Sequence, residues 1–406
     1  MVTNLFVSRV GIARYIYLVL GVILVLGSWI PALRVVSPQL SSLPSFVHSR
    51  VHWKEGDHSE VSCSTKNFTT LFSPSSTQLG IASEVYLISL PWRQDRRKQM
   101  GHLQASKEIS WTVVDALDPS DITIGHIFEQ IVSQRSLQPS KGPLDDLESI
   151  FRWPADINAI ASSTEYFGAS GSDLWTSADT QNSRHTTLSS LSVSHHPNVT
   201  CATQDNSVPP FNPSLPDWMI LTAPKISCWY SHVSAIRQFI NRVNTTPEDV
   251  AVFLEDDIDM ERDIEIRMRH IWPSLPHGWD MVFLGHCWSN ESFYSALPSP
   301  QVMSPLYDLP TRSHIHPSYS PRCTHAYALS LSGARRLLQH LRYPPFAYSR
   351  ALDQAFSWLI ESGRLRAFSI VPSVVIQRKV LSSDIFPGSG VGSAWREHLV
   401  NGVFGT

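Results

Sequence analysis

The chain has 406 residues and a formal net charge of −3, and 42% of its residues are hydrophobic. That length builds one large domain or two ordinary ones, and the near-neutral charge offers no basic surface for nucleic acid and no acidic activator tail. Charged residues make up only 17% of the chain, a low share that reflects an apolar N-terminus and long Ser/Thr/Pro-rich stretches.

From Tyr15 to Leu33 the chain carries no charge, with Arg9 and Arg14 before the run and Arg34 closing it. Nineteen helical residues span about 28 Å, close to the hydrocarbon thickness of a bilayer. A cleaved signal peptide is the competing reading, because Gly27 and Ser28 are small residues at a plausible cleavage point; its apolar core is normally shorter. The run is therefore read as an uncleaved transmembrane anchor over 15–33, with residues 1–14 cytoplasmic and the body luminal. Sequons at Asn67, Asn198, Asn244 and Asn290 fit a luminal chain. The 5 cysteines show no metal-ligand spacing, which argues against a zinc site, and Cys287 with Cys323 is a candidate bridge.

Residues 34–83 are rich in Ser, Pro, Thr and His and read as a flexible stem. A buried strand follows, Val-Tyr-Leu-Ile-Ser-Leu at 85–90, then a polar loop, a helix to about Lys107 and a second strand from Trp111 to Asp115. Strand, helix, strand opens a βαβ unit and hence a parallel sheet. Between about 119 and 216 the pattern dissolves into Ser/Thr/Asn/His-rich sequence, read as a mostly disordered insertion with a helical patch at Phe128 to Ser136. Apolar residues return at helical spacing from Ile226 to Val243, and then comes Val250 to Asp259. Five apolar residues end there in Glu255, Asp256, Asp257 and Asp259. Ligands of open α/β sheets sit outside the carboxyl ends of strands, and crowded carboxylates call for a cation or a hydrogen-bonding ligand. Oxygen-only ligands select a hard cation such as Mg²⁺ or Mn²⁺. A solvated acidic turn is the plain alternative. Further strands at Trp279 to Gly285 and Thr324 to Leu331 flank a Pro- and Ser-rich loop of active-site-lid length, and helices at Ser332 to Leu341 and Leu352 to Ser362 follow. Residues 381–406 read as an irregular tail.

Five blocks in order resemble glycosyltransferase family 25, the group of bacterial lipopolysaccharide sugar transferases and animal collagen galactosyltransferases. They are Val85-Tyr-Leu-Ile-Ser-Leu-Pro-Trp-Arg-Gln-Asp-Arg-Arg97; Leu221 to Ile240 with Ser231-His232; Phe253-Leu-Glu-Asp-Asp257; Trp279-Asp-Met-Val-Phe-Leu-Gly285; and Thr324-His-Ala-Tyr-Ala-Leu-Ser-Leu-Ser-Gly-Ala334 leading to Leu352-Asp353-Gln354. Together they cover roughly half the chain. The long insertion departs from the family pattern, as does Ala223-Pro224-Lys225-Ile226-Ser227, where the family usually has a Gly-Glu-Ile-Gly run.

The resemblance implies a GT-A fold over 84–380, a Rossmann-like, mostly parallel sheet flanked by helices, with a UDP-sugar donor and a divalent metal, Mn²⁺ ahead of Mg²⁺. By the period-two rule Glu255 and Asp257 share one side if strand geometry persists. Asp257 is assigned to the metal and Glu255 to the metal or the ribose, with Asp256 a near alternative and Asp259 a helix cap. Arg93, Asp95 and Arg96 follow the first strand, where base and ribose would lie. His232 is read as either a core histidine or a ligand contact, and His286 and His325 as candidate third metal ligands. Asp353 matches the family's late carboxylate and is the candidate general base for an inverting transfer.

These readings point to a single-pass type II membrane enzyme of the Golgi or ER. It would transfer a sugar, galactose by resemblance, to a glycan or glycoprotein acceptor. The rival from another class is a non-catalytic anchored binding or adhesion protein that keeps the fold; a secreted, cleaved form of the enzyme is the second rival.

Overall fold

The computed structural model describes residues 78–136, 157, 159, 199–298, 313–378, 384–385 and 398–405, all within one compact unit. The expected cytoplasmic tail, the anchor and nearly all of the stem lie outside them. No helix among the described residues is long and apolar enough to cross a membrane.

The elements in chain order are β1 (Glu84–Ser89), α1 (Gln94–Lys107), β2 (Thr112–Asp115), α2 (Ile122–Ser136), α3 (Ala223–Ile240), β3 (Val250–Glu255), β4 (Ile258–Met260), α4 (Ile264–Ile271) and β5 (Met281–Phe283). Then come β6 (His314–Pro317), β7 (Ala326–Ser330), α5 (Leu331–Arg342), α6 (Leu352–Glu361), β8 (Ala367–Val371) and β9 (Val375–Gln377). Seven strands form one sheet in the order β2-β1-β3-β7-β5-β8-β6, and β4 pairs with β9 in a small second sheet. Strand β1 is parallel to both β2 and β3, and β5 is parallel to β8. Strand β7 runs against β3 and β5, and β6 runs against β8 at the edge. The fold is mixed α/β with a mostly parallel sheet flanked by helices.

Both faces of the sheet are covered, as continuous apolar strands require. Along β3 the side chains alternate: Ala251 and Phe253 enter a core with α2, α3, α5 and α6, whereas Val252 and Leu254 enter one with α1 and α4. On the first face, paired positions of three strands stack Tyr86 on Phe253 at 5.3 Å and Phe253 on Tyr327 at 5.1 Å between ring centroids. Helix α5 starts on Ser330, whose hydroxyl accepts the Gly333 N–H at 3.0 Å, and Gly333 lies so close to the Asp280 backbone that a β-carbon would collide with it.

The structure describes both ends of the segment 119–216. Helix α2 spans 122–136 and buries Ile124, Ile127, Phe128 and Ile131, which recur every three or four residues. At the far end, Cys201 and Leu221 donate their N–H groups to Met219 and Val199 at 2.7 and 2.8 Å, and Arg135 reaches the Thr200 carbonyl at 2.9 Å. Both ends of the 119–216 segment are therefore part of the domain; residues 137–156, 158 and 160–198 lie outside the described ones.

Asp259 is not a helix cap. It sits in β4, fully buried, and accepts the N–H groups of Met260 at 2.8 Å and Val403 at 3.1 Å. Glu261, equally buried, accepts the N–H groups of Val400 and Asn401, both at 2.8 Å. Two buried carboxylates thus clasp 400–403, so this part of the tail is pinned by side chains, with no periodicity of its own to announce it. Among the described residues Cys201 and Cys228 are unbridged, and Cys287 is joined to Cys323.

Candidate active site

The sheet reverses its winding between β1 and β3: the chain leaves β1 outward to β2 and leaves β3 towards the opposite edge. A crevice opens at such a switch point, outside the carboxyl ends of the two strands. Ser89 ends β1 and Glu255 ends β3. Across the gap the Ser89 hydroxyl donates to Asp256 at 2.7 Å.

Strand parity separates the acids. Glu255 follows Ala251 and Phe253 onto the α3 face, where His232 Nε2 lies 3.4 Å from its carboxylate and the Thr324 hydroxyl donates to it at 2.6 Å. Asp256 turns to the α1 face and takes Arg96 at 2.9 Å. The strand has ended by Asp257, so period two no longer applies and Asp257 does not join Glu255 on its side. It lies 3.2 Å from Arg96 and accepts the Gln377 amide at 3.0 Å.

Burial, then the neighbouring charge of Glu255, pushes the Asp257 carboxyl well above the ordinary carboxylate range. Burial also raises Glu255, but the hydrogen bond and charge of His232, with the Thr324 hydroxyl, outweigh it and hold Glu255 low. Asp256 is raised by burial against the opposing bonds of Ser89 and Arg96. Glu255 is thus the carboxylate held ionised, and Asp257 the one that tends to keep its proton.

Two cavities meet at this strand end. One, of about 90 Å³, occupies the switch-point crevice and is lined by Ser89, Arg96, Ala116, His232, Glu255 and Asp256 among others. The other, of about 230 Å³, is lined by Lys225, Cys228, Glu255, Thr324, Asp353 and Gln377 among others. Glu255, Cys228 and Ile385 border both. Asp353 stands in the first turn of α6, where its carboxylate accepts the N–H of Gln354 at 2.8 Å and of Cys323 at 3.4 Å. The disulfide therefore fixes the segment that holds both Thr324 and the Asp353 contact.

The expected residues are only partly brought together. Arg96, Glu255 and Asp256 line the crevice, and Asp353 lines the larger cavity. Arg93 and Asp95 line neither: Arg93 grips Asp95 through two bonds of 3.0 Å and also pairs with Asp384. That bond to Arg93 is the main reason the Asp95 carboxyl is lowered. His325 does not join Glu255 and Asp257 as a third ligand; its Nε2 lies 3.4 Å from the Val375 carbonyl, with the ring packed over Gly285. Among the described residues, the one group of three metal-ligating side chains with their ligand atoms within 4.8 Å of one another is Cys228, His232 and Glu255.

A hard divalent cation still fits the carboxylates. Asp257 Oδ1 is buried without a hydrogen-bond donor among the described residues, the kind of orphaned oxygen that a cation satisfies. Glu255 and Asp257 are the residues that would hold it. Cys228 and His232 are one helical turn apart on α3, a spacing visible in the sequence. Gln377 and Asp384 carry no such signal, because β9 and the following segment reach the site only through tertiary packing. No protein-family model matches the chain, and no curated protein matches it.

Proposed function

We propose that the chain is a GT-A-type glycosyltransferase, similar to family 25, that moves a sugar from a UDP-sugar to a hydroxyl of a glycan or glycoprotein with inversion. The observation that carries this reading is the shared carboxylate: Glu255 borders both a switch-point crevice and a second cavity that contains Asp353. A two-substrate transfer needs two adjoining compartments, one for donor and one for acceptor. The nucleotide belongs in the crevice beside Ser89 and Arg96. The acceptor belongs beside Asp353.

In the step itself the acceptor oxygen bonds to the anomeric carbon as its proton passes to Asp353. The bond from that carbon to the diphosphate oxygen breaks, and the electron pair leaves with the nucleoside diphosphate. A divalent cation at Glu255 and Asp257 would stabilise the charge developing on the diphosphate. Arg96 adds a fixed positive charge on the donor side. The preference for galactose rests on the sequence resemblance alone. A luminal body is supported by the Cys287–Cys323 bridge and by the exposed sequons at Asn244 and Asn290.

Calorimetric titration of the full chain with UDP, with and without Mn²⁺, tests the proposal. Binding that requires Mn²⁺ and is lost in Asp257→Ala is the expected result. A folded wild-type protein that binds no nucleotide under either condition overturns it.

A further inference from the structure

Cys228 and His232 project from successive turns of α3 towards the end of β3, where they meet Glu255. The ligand atoms of all three lie within 4.8 Å of one another. A tetrahedral zinc ion with bonds of about 2.0–2.3 Å sets its ligand atoms roughly 3.3–3.8 Å apart, so only a small inward movement would close the set. His232 Nε2 and the Glu255 carboxylate are already 3.4 Å apart.

The surroundings are those of a supported metal site. The other ring nitrogen of His232, Nδ1, lies 2.9 Å from the Tyr327 hydroxyl, which orients the imidazole and leaves Nε2 facing Glu255. The Thr324 hydroxyl bonds one Glu255 oxygen at 2.6 Å and orients the carboxylate. All three side chains line the crevice of about 90 Å³, and Cys228 and Glu255 also line the cavity of about 230 Å³ that holds Asp353, so the set faces open space. Three protein ligands with an open position is the arrangement of zinc sites that exchange a water or a substrate group.

We propose that Cys228 Sγ, His232 Nε2 and Glu255 form a second metal site, selective for Zn²⁺ over the hard cations Mg²⁺ and Mn²⁺. The sulfur and imidazole donors set that preference. On binding, the Cys228 thiol and the Nε2–H of His232 release their protons to solvent, and the freed sulfur and nitrogen lone pairs join one from a Glu255 oxygen. The site is defined without a nucleotide, so it stands or falls independently of the glycosyltransferase reading.

Cobalt(II) is the probe. Added to metal-free full-length protein in detergent, it gives a near-ultraviolet thiolate-to-cobalt charge-transfer band, which stoichiometric Zn²⁺ abolishes. Cys228→Ser lacks the band and Cys201→Ser retains it. Tyr327→Phe weakens cobalt binding by about 10- to 100-fold, the range for loss of a partner that orients a ligand. A folded wild-type protein without the band, or a band that survives Cys228→Ser, overturns the proposal. If Cys228→Ser does not fold, the wild-type protein decides: Zn²⁺ slows alkylation of Cys228, mapped by peptide mass, and an unchanged rate overturns the proposal.

Discussion

Replacing Arg96 with Met removes the one cation that, among the described residues, pairs with both Asp256 and Asp257. Its guanidinium is 2.9 Å from Asp256 and 3.2 Å from Asp257, and its side chain is only 10% exposed. Breaking a buried pair by deleting one partner costs about 3–5 kcal/mol, because the remaining charge is stranded. Here the cost falls near 3 kcal/mol, since Asp257 already tends to hold a proton and can shed its charge. Without Arg96, the folded-state affinities of both carboxyls for protons rise further above their unfolded values. Each then destabilises the fold as pH rises through the raised pKa, and the penalty disappears as pH falls. Urea unfolding of both proteins at about pH 7.5 and about pH 5 measures this, with and without millimolar Mn²⁺. The expected result is a gap of about 3 kcal/mol at the higher pH that narrows in acid and on adding Mn²⁺. A gap that is absent, or the same at both pH values, refutes the claim that these carboxylates are strained by charge.

Gly285→Ala drives a β-carbon into the Val375 carbonyl and the His325 ring, so β9 must move; the change costs about 1–3 kcal/mol in urea unfolding and also weakens UDP binding, because β9 carries Gln377 to Asp257. Cys287→Ser opens a loop of sequence separation 36, and the lost constraint lowers stability by roughly 3–4 kcal/mol under oxidising conditions, read as the difference from wild type. His340 is fully buried, and burial lowers its imidazole from 6.5 to about 4. Protonation is therefore favoured in the unfolded chain, and stability falls as pH drops from 6.5 towards 4, by about 2 kcal/mol at pH 5. A His340→Gln variant lacks that component of the pH profile.

The strands and helices were legible where one period ran long enough to be counted. Val85 to Leu90 and Val250 to Glu255 read as buried strands, and both are central in the sheet. Helix α2 was legible only from Phe128 on; its first turns escaped because their apolar residues are interleaved with Thr123, Gly125 and His126, which resemble the polar sequence that follows. The edge strand β6 escaped because His314-Ile-His-Pro317 offers one inward side chain and a proline. At the site, residue types were readable but partners were not. Nothing local in Asp259 distinguishes a cap from a buried acceptor, since the donors that bury it, Val403 and Phe404, lie more than a hundred residues on.

The order of the acids along β3 determines which partner each one meets. Alternation carries Glu255 to the α3 face and Asp256 to the α1 face, so the first acid meets an imidazole and the second a guanidinium. The two partners leave the acids in different states. Asp256 is closed by Ser89 and Arg96 and is 6% exposed, with both oxygens occupied, which makes it a strut across the crevice. Glu255 faces both cavities and shares its charge with a histidine, whose proton a metal can replace. Asp257, past the end of the strand, keeps an oxygen without a donor. The triplet is thus not one ligand set repeated three times. It comprises a strut between two carboxylates of differing proton affinity. On the two metal proposals, a thiolate-preferring cation at Cys228 and His232 and a hard one beside Asp257 would share Glu255.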